Sequence, residues 1–199
     1  MKKNFKGAFT VVELIITIAI IMVGSFAVIL YINPAEYRNR ASDSKRVTEI
    51  QTLDKAITEL KYDQPNIGLG TAKTLYISLP ASNSNCSDIS GLPVLTGGWV
   101  YHCANQANLM KNNGTGWIPL DFSSMNSNKP VAFLPIDPKN TAQCGFYYTY
   151  AFSNGEWELS AVVDSQKYRQ QYPQKYYIQN LMAAPSSQIT PAAALGRGC

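Results

Sequence analysis

Apolar residues are concentrated in one long run near the N-terminus of the chain. Residues 9–32 contain a single charged side chain, Glu13, and a helix of about 20 apolar residues is long enough to span a bilayer. The sequence after this run is polar and rich in Asn, Ser, Gly, Pro and Tyr, which is typical of a loop-rich domain in water. The pattern predicts one membrane-spanning helix that carries a water-exposed body.

The charges that flank the apolar run predict its orientation. Lys2, Lys3 and Lys6 precede the run, and positively charged flanks stay on the cytoplasmic side of a membrane. We therefore expect a single-pass protein of the cytoplasmic membrane, with its N-terminus inside and its body outside. An ordinary secretory signal is the alternative, since residues 25–27 resemble a small-x-small cleavage site, but the apolar run is longer than such signals need.

A second helix is predicted directly after the apolar run. Pro34 lacks an amide hydrogen and disfavours helix at Asn33, so we expect a break there. Beyond the break, apolar residues at spacings of three and four form one stripe, which predicts an amphipathic helix packed on a sheet: Val47, Ile50, Leu53, Ile57 and Leu60. The charged residues of this segment are expected on its solvated face, among them Arg38, Arg40, Asp43, Lys45 and Arg46.

Short strand-like runs follow, and they predict an α+β fold in which the long N-terminal helix packs on an antiparallel sheet. The candidate strands are residues 75–79, 99–102, 131–134, 145–152 and 156–163. Residues 153–155 predict a hairpin between the last two, because Asn and Gly tolerate positive φ. Tyr147, Tyr148 and Tyr150 are expected to pack across strands, with a carbohydrate-binding surface as the alternative.

The four cysteines all lie in the predicted exported part, where an even number favours disulfides. Three pairings are possible, and we favour Cys86–Cys103 with Cys144–Cys199. The first closes a short loop, for which chain entropy gives about 3 kcal/mol of stabilisation. The second would tie the C-terminal tail to the sheet. A free Cys199 at a frayed end is the alternative.

Few residues carry candidate chemistry. Asp137, Asn140 and Asp164 offer the oxygen ligands that calcium prefers, although no dense acidic loop surrounds them and Asp137-Pro138 is also a good turn. Enzyme motifs for nucleotide, metal or acyl chemistry are missing from the sequence, and we expect its one histidine, His102, to be structural. We therefore predict no enzymatic activity and no cofactor, with calcium as the alternative.

Residues 6–14 carry a resemblance to a known family. This segment resembles the type IV prepilin signature, a short basic leader and a small residue followed by Phe-Thr-Leu-Ile-Glu-Leu or a close variant. The resemblance implies that a prepilin peptidase cuts between Ala8 and Phe9 and methylates the new amine of Phe9. Ala8 stands where the family usually has Gly, so cleavage between Gly7 and Ala8 is the alternative, although the position of Glu13 favours the first site.

Spacing gives Glu13 a physical role beside the resemblance. Phe9 and Glu13 are four residues apart and share one helical face. Cleavage would create a cationic amine on Phe9, and Glu13 of one subunit could neutralise that amine in the next subunit of a filament. An unpaired buried charge costs about 3–5 kcal/mol, so the pair would favour the correct register. The alternative is that Glu13 lies at the membrane interface.

The resemblance also implies a domain organisation and a set of partners. The chain divides into a leader (1–8), a membrane and filament-core helix (9–33), an amphipathic helix (34–63) and a globular head (64–199). Residues 32–36 and 43–46 are similar to the branch of the family found in Gram-positive and small-genome bacteria. The implied partners are other copies of the chain, the prepilin peptidase, a membrane platform protein, an assembly ATPase, and membrane lipid before assembly.

The function implied is that of a pilin, the structural subunit of a type IV pilus-like filament on the cell surface. A pseudopilin of a type II secretion or DNA-uptake apparatus is one alternative, and a monomeric membrane-anchored adhesin or binding protein is another. Removal of the leader deletes three lysines from a chain whose net charge is +4. The mature chain would be nearly neutral, so it carries no clear nucleic-acid signal.

Overall fold

The computed structural model describes residues 9–31, 33–125, 131–153, 155–172 and 175–179, without the side chains of 27–31 and 175–179. The chain divides after Arg38 into two compact units, which are described separately. The first unit contains helix α1 (Val11–Tyr31) and the start of helix α2 (Pro34–Asp63). The second contains the rest of α2 and the sheet.

The predicted break between the two helices is confirmed. Asn33 has a φ of +29°, and Pro34 opens α2 at a position where a missing amide hydrogen costs nothing. The Asn33 carbonyl accepts a hydrogen bond from the Glu36 amide at 3.1 Å. None of the helices in the described residues has the length and apolar character of a membrane span.

The second unit is α+β and is built around a five-stranded sheet. The strands are β1 (Thr74–Pro80), β2 (Val100–Ala104), β3 (Thr149–Ser153), β4 (Glu156–Val162) and β5 (Lys175–Gln179), with a short helix α3 (Gln166–Gln171). Their order in the sheet is β2-β1-β3-β4-β5. The predicted hairpin is present as β3 and β4, with Ser153 opposite Glu156.

The prediction of an antiparallel sheet is wrong at one edge. β2 pairs with β1 in parallel, with Thr74 opposite Val100 and Ile77 opposite Cys103, whereas the other three pairings are antiparallel. A parallel pair needs a connection that returns to the starting end of the first strand. Residues 81–99 make this return, so the sheet is mixed.

The predicted strand at residues 131–134 is also absent. The Leu134 amide donates to the Met110 carbonyl at 2.8 Å, and the Asn112 side chain donates to the Val131 carbonyl at 2.8 Å. This segment is therefore held by an irregular loop instead of the sheet. Its apolar side chains Val131 and Leu134 are nevertheless buried in the core.

Two apolar clusters cover the two faces of the sheet. The first lies between the sheet and α2, whose stripe of Ile50, Leu53, Ile57 and Leu60 is buried as predicted. The second lies on the opposite face and is closed by residues of the 81–99 connection. Six of the seven β1 residues are buried, because β1 is covered on both faces.

His102 lies in β2 and packs against Tyr76, with 5.0 Å between the ring centroids. Its buried Nδ1 atom has no hydrogen-bond partner among the residues that the structure describes, and burial lowers the pKa of His102. The folded state therefore takes up this proton less readily than the unfolded chain, in which a histidine titrates near pH about 6.5.

Acidification below pH about 6.5 is expected to destabilise the protein through His102. We expect the free energy of unfolding to fall between pH 7.5 and pH 5.5. The fall should be smaller in the variant His102→Phe, which keeps an aromatic ring at this position but cannot be protonated. Urea unfolding of both proteins at pH 7.5 and pH 5.5 checks this. Equal pH dependence in the two would contradict the assignment.

Candidate assembly site

Helix α1 begins with a reciprocal pair of side-chain hydrogen bonds between Thr10 and Glu13. The Glu13 amide donates to Thr10 Oγ1 at 3.2 Å, and the Glu13 carboxylate accepts from the Thr10 amide and hydroxyl at 3.4 Å. This arrangement is a capping box, which satisfies helix N-terminal amides that otherwise lack partners. The capping box was not predicted, although the Thr-x-x-Glu spacing in the sequence is a sufficient signal for it.

The described side chains of α1 are exposed within their unit. Phe9 is 78% exposed, and most of the helix's large apolar side chains are more than half exposed: Val11, Val12, Leu14, Ile15, Ile16, Ile20, Ile21, Met22, Val23 and Phe26. Glu13 is the one charged residue of α1. A helix that is apolar all round is stable when something buries it, either protein or lipid.

The structure places the predicted site residues as follows. Phe9 and Glu13 both lie at the start of the exposed helix, and the Glu13 carboxylate is held by Thr10. Gly7 and Ala8, the other predicted processing residues, lie outside the described residues. The pairing of Glu13 with the Phe9 amine was predicted between subunits, and it stays a prediction.

The second unit contains a buried charge network, and the prediction that its α2 charges are solvated is wrong. Asp43 and Arg46 were expected on a solvated face, but both are fully buried. Arg46 donates to both carboxylate oxygens of Asp137, at 2.6 Å from Nε and 2.9 Å from Nη2. Its Nη1 donates to Asp43 at 2.7 Å. The guanidinium also lies 4.9 Å from the centre of the Phe146 ring.

Asp43 connects α2 to the turn that follows β4. Its carboxylate accepts from the Asp164 amide at 3.0 Å and from the Ser165 amide and hydroxyl, each at 2.7 Å. Asp137 also accepts from the Lys139 amide at 2.8 Å. The network therefore fastens α2 to two loops that are distant in sequence.

The electrostatics of the network keep its arginine charged. Burial alone would lower the pKa of Arg46, but hydrogen bonds and charge attraction from Asp137 and Asp43 outweigh that effect and raise the pKa above its ordinary value. Buried charges cost free energy unless they are paired and hydrogen-bonded. Here Nε, Nη1 and Nη2 of the guanidinium each donate a hydrogen bond to one of the two carboxylates.

The predicted calcium ligands have other partners in the structure. Both oxygens of Asp137 accept from Arg46, and Asp164 forms ion pairs with Lys139 at 2.6 Å and Arg169 at 3.4 Å. The Asn140 side-chain oxygen accepts from the Ser78 hydroxyl at 3.3 Å. Among the described residues, no group of three His, Cys, Asp or Glu side chains is arranged to hold a metal ion.

Three further polar contacts fasten α2 to the sheet. The Tyr148 hydroxyl donates to Glu49, the Trp157 indole donates to Asp54 at 2.9 Å, and Lys61 donates to the Gly155 carbonyl at 3.1 Å. Burial and the neighbouring Glu49 raise the pKa of Tyr148. Together with the charge network, these contacts extend along α2 from Asp43 to Lys61.

The tyrosine cluster is buried, so it does not form the carbohydrate-binding surface that was the alternative. Tyr147, Tyr148 and Tyr150 are each 0% exposed. Tyr150 packs against Tyr76 with 5.9 Å between ring centroids, and Tyr148 packs against Trp117. The predicted aromatic packing across strands is confirmed for Tyr150, which lies opposite Tyr76, whereas Tyr147 and Tyr148 precede β3.

The predicted disulfide Cys86–Cys103 is present, with Cα atoms 5.5 Å apart. It joins β2 to the connection that covers the second face of the sheet. Cys144 is also disulfide-bonded, and the described part of the chain has no free cysteine. Cys199, the predicted partner of Cys144, lies outside the described residues, so the pairing of these two cysteines stays a prediction.

Loss of the Cys86–Cys103 disulfide is expected to lower the free energy of unfolding by about 3 kcal/mol. The 17-residue separation of the two cysteines sets the chain entropy that the bond removes from the unfolded state. Urea unfolding of the double variant Cys86→Ala/Cys103→Ala measures the loss. A change below about 1 kcal/mol would show that the 81–99 connection is held by its apolar contacts alone.

Comparisons with known proteins return nothing for this chain: no family model, no curated protein and no solved structure matches it. The described residues show two features that bear on function. One is the apolar α1 with its capped Glu13, and the other is a second unit in which buried charges fasten α2 to the rest of the fold.

Proposed function

We propose that the chain is a prepilin, a structural subunit that is cut before Phe9 and polymerises into a type IV pilus-like filament. The observation that carries the proposal is α1, an apolar helix with exposed side chains and one charge, Glu13, four residues after Phe9. Such a helix needs a covering of lipid or of other apolar helices. In a filament core made of many copies of α1, each helix is covered by the apolar helices of its neighbours.

Before assembly, the proposal places residues 9–32 in the cytoplasmic membrane, with the head outside. This part rests on the sequence of the apolar run and on Lys2, Lys3 and Lys6 before it. During assembly each α1 exchanges lipid for the α1 helices of its neighbours. The Glu13 carboxylate leaves its own Thr10 and pairs with the Phe9 amine of another subunit, which sets the register of the polymer.

The head has a mechanical role in this proposal. A filament subunit bears load, and residues 39–63 of α2 belong to the same compact unit as the sheet. The buried Asp43–Arg46–Asp137 network and the contacts of Glu49, Asp54 and Lys61 resist separation of α2 from the sheet. The proposed role is structural, and the energy for assembly comes from a membrane platform and a cytoplasmic ATPase.

Immunogold electron microscopy of sheared surface fibres tests the proposal against its alternatives. A pilin gives long fibres that are labelled along their length by antibody to the head. A pseudopilin of a secretion or DNA-uptake apparatus gives no long surface fibres in cells that nevertheless process the chain. A monomeric anchored adhesin gives membrane labelling with an intact leader, and that result would overturn the proposal.

A further inference from the structure

Phe9 and Thr10 are the described residues that precede α1, and neither is helical. The helix begins at Val11, and the Leu14 amide donates to the Thr10 carbonyl at 3.2 Å, as expected for a first turn. The bond that the proposed function assigns to the prepilin peptidase ends at the Phe9 nitrogen. The proposed cut therefore lies just before described backbone that stays outside the helix.

The capping box occupies two amides that a longer helix would need. Each helical amide pairs with the carbonyl four residues earlier, so a helix extended toward the leader would join the Glu13 amide to the Phe9 carbonyl. In the structure the Glu13 amide donates instead to Thr10 Oγ1 at 3.2 Å. The Thr10 amide donates to the Glu13 carboxylate at 3.4 Å. These side chains therefore end the helix at Val11.

The sequence before Val11 gives little other resistance to a longer helix. Residues 1–9 contain no proline, the residue that opposes helix most strongly, and Ala8 is of the type with the highest helix propensity. The position of the helix start depends on the cap for this reason. Cleavage of a folded chain follows the population of its locally open form, and a helix extended across the cut would lower that population.

We infer that Thr10 is a positioning residue for processing: together with Glu13 it ends α1 at Val11 and keeps the backbone at Phe9 open for the prepilin peptidase. The inference rests on the proposed function. It gives the Thr-x-x-Glu spacing a role before cleavage, whereas the pairing of Glu13 with the Phe9 amine acts after cleavage. The earlier role needs no negative charge, because Gln also completes a capping box.

The initial rate of cleavage in pulse-labelled cells tests this role. Thr10→Ala removes the hydroxyl and introduces a strong helix former, and we expect it to slow cleavage about fivefold. Thr10→Ser and Thr10→Asn keep a capping side chain and should be cut at the rate of the unchanged protein. Thr17→Ala is the matched control, because the Thr17 hydroxyl donates to the Leu14 carbonyl at 2.8 Å inside the helix and takes no part in the cap.

Slow cleavage of Thr10→Ala, with unchanged rates in the two capping variants and in Thr17→Ala, supports the inference. Unchanged or faster cleavage of Thr10→Ala overturns it. Slow cleavage of all three Thr10 variants also overturns it, because the peptidase would then read the threonine side chain itself. A cut at another bond in the unchanged protein, detected by mass spectrometry, rejects the proposed function as well. The initial rate is the readout because slower cleavage still runs to completion before assembly.

Discussion

Glu13→Gln is expected to reduce the yield of filaments at least tenfold while leaving membrane insertion and N-terminal processing unchanged. Gln can still accept the Thr10 hydrogen bonds of the capping box, but it has no charge to neutralise the Phe9 amine of a neighbouring subunit. A buried amine left unpaired costs about 3–5 kcal/mol per contact. The yield is measured by quantitative immunoblot of sheared fibres against the cell-associated pool.

Thr10→Val is the matched control for this variant. It removes the hydroxyl that caps α1 but keeps the Glu13 carboxylate, and a lost cap costs about 1 kcal/mol. We expect filament yield close to that of the unchanged protein. Equal loss in both variants would mean that Glu13 acts by capping the helix, and normal yield from Glu13→Gln would reject the pairing between subunits.

Arg46→Met is expected to lower the free energy of unfolding of the second unit by about 3–5 kcal/mol. The change removes the guanidinium and leaves the buried carboxylates of Asp43 and Asp137 without the cation that both contact. For a chain of this length the loss corresponds to a fall in Tm of at least about 6 °C. Urea unfolding followed by the fluorescence of the buried Trp117 and Trp157 measures it.

Two further variants test whether the buried charge network, and not the loss of one positive charge in general, causes this fall in stability. Lys45→Met removes the adjacent charge, whose side chain is 57% exposed and pairs with Glu49 at 3.7 Å, and such surface pairs contribute about 0–1 kcal/mol. Arg46→Met/Asp137→Leu removes both members of a buried pair and should recover part of the loss. A small effect of Arg46→Met, similar to that of Lys45→Met, would contradict the role given to the network.

Local patterns in the sequence predicted the elements that depend on nearby residues. The stripe from Ile50 to Leu60 repeats with the period of a helix, so both α2 and its buried face could be predicted. Pro34 acts on its immediate neighbour, so the break at Asn33 could be predicted too. The hairpin of β3 and β4 depends on a short turn. In each case the determinants lie within a few residues of the structure that they produce.

Features that depend on distant residues could not be predicted. Asp43 and Arg46 look like ordinary surface charges in the sequence, because Arg46 pairs with Asp137, 91 residues away, and Asp43 accepts from Ser165, 122 residues away. The residues that neighbour Asp43 and Arg46 in the sequence do not indicate that the loop at Asp137 and the turn at Ser165 will bury them. The parallel pairing of β2 has the same origin, since the path of the 81–99 connection decides it. The capping box at Thr10 is different, because its signal was local and was overlooked.

We propose that the chain is cut before Phe9 and assembled through the exposed helix that follows. Mass spectrometry of the mature N-terminus, on protein recovered from a sheared surface fraction, tests both steps at once. We expect a peptide that begins with N-methylated Phe9 and is found in fibres. An intact Met1, or a cut near Ala27 with the protein found only in membrane or medium, would contradict it.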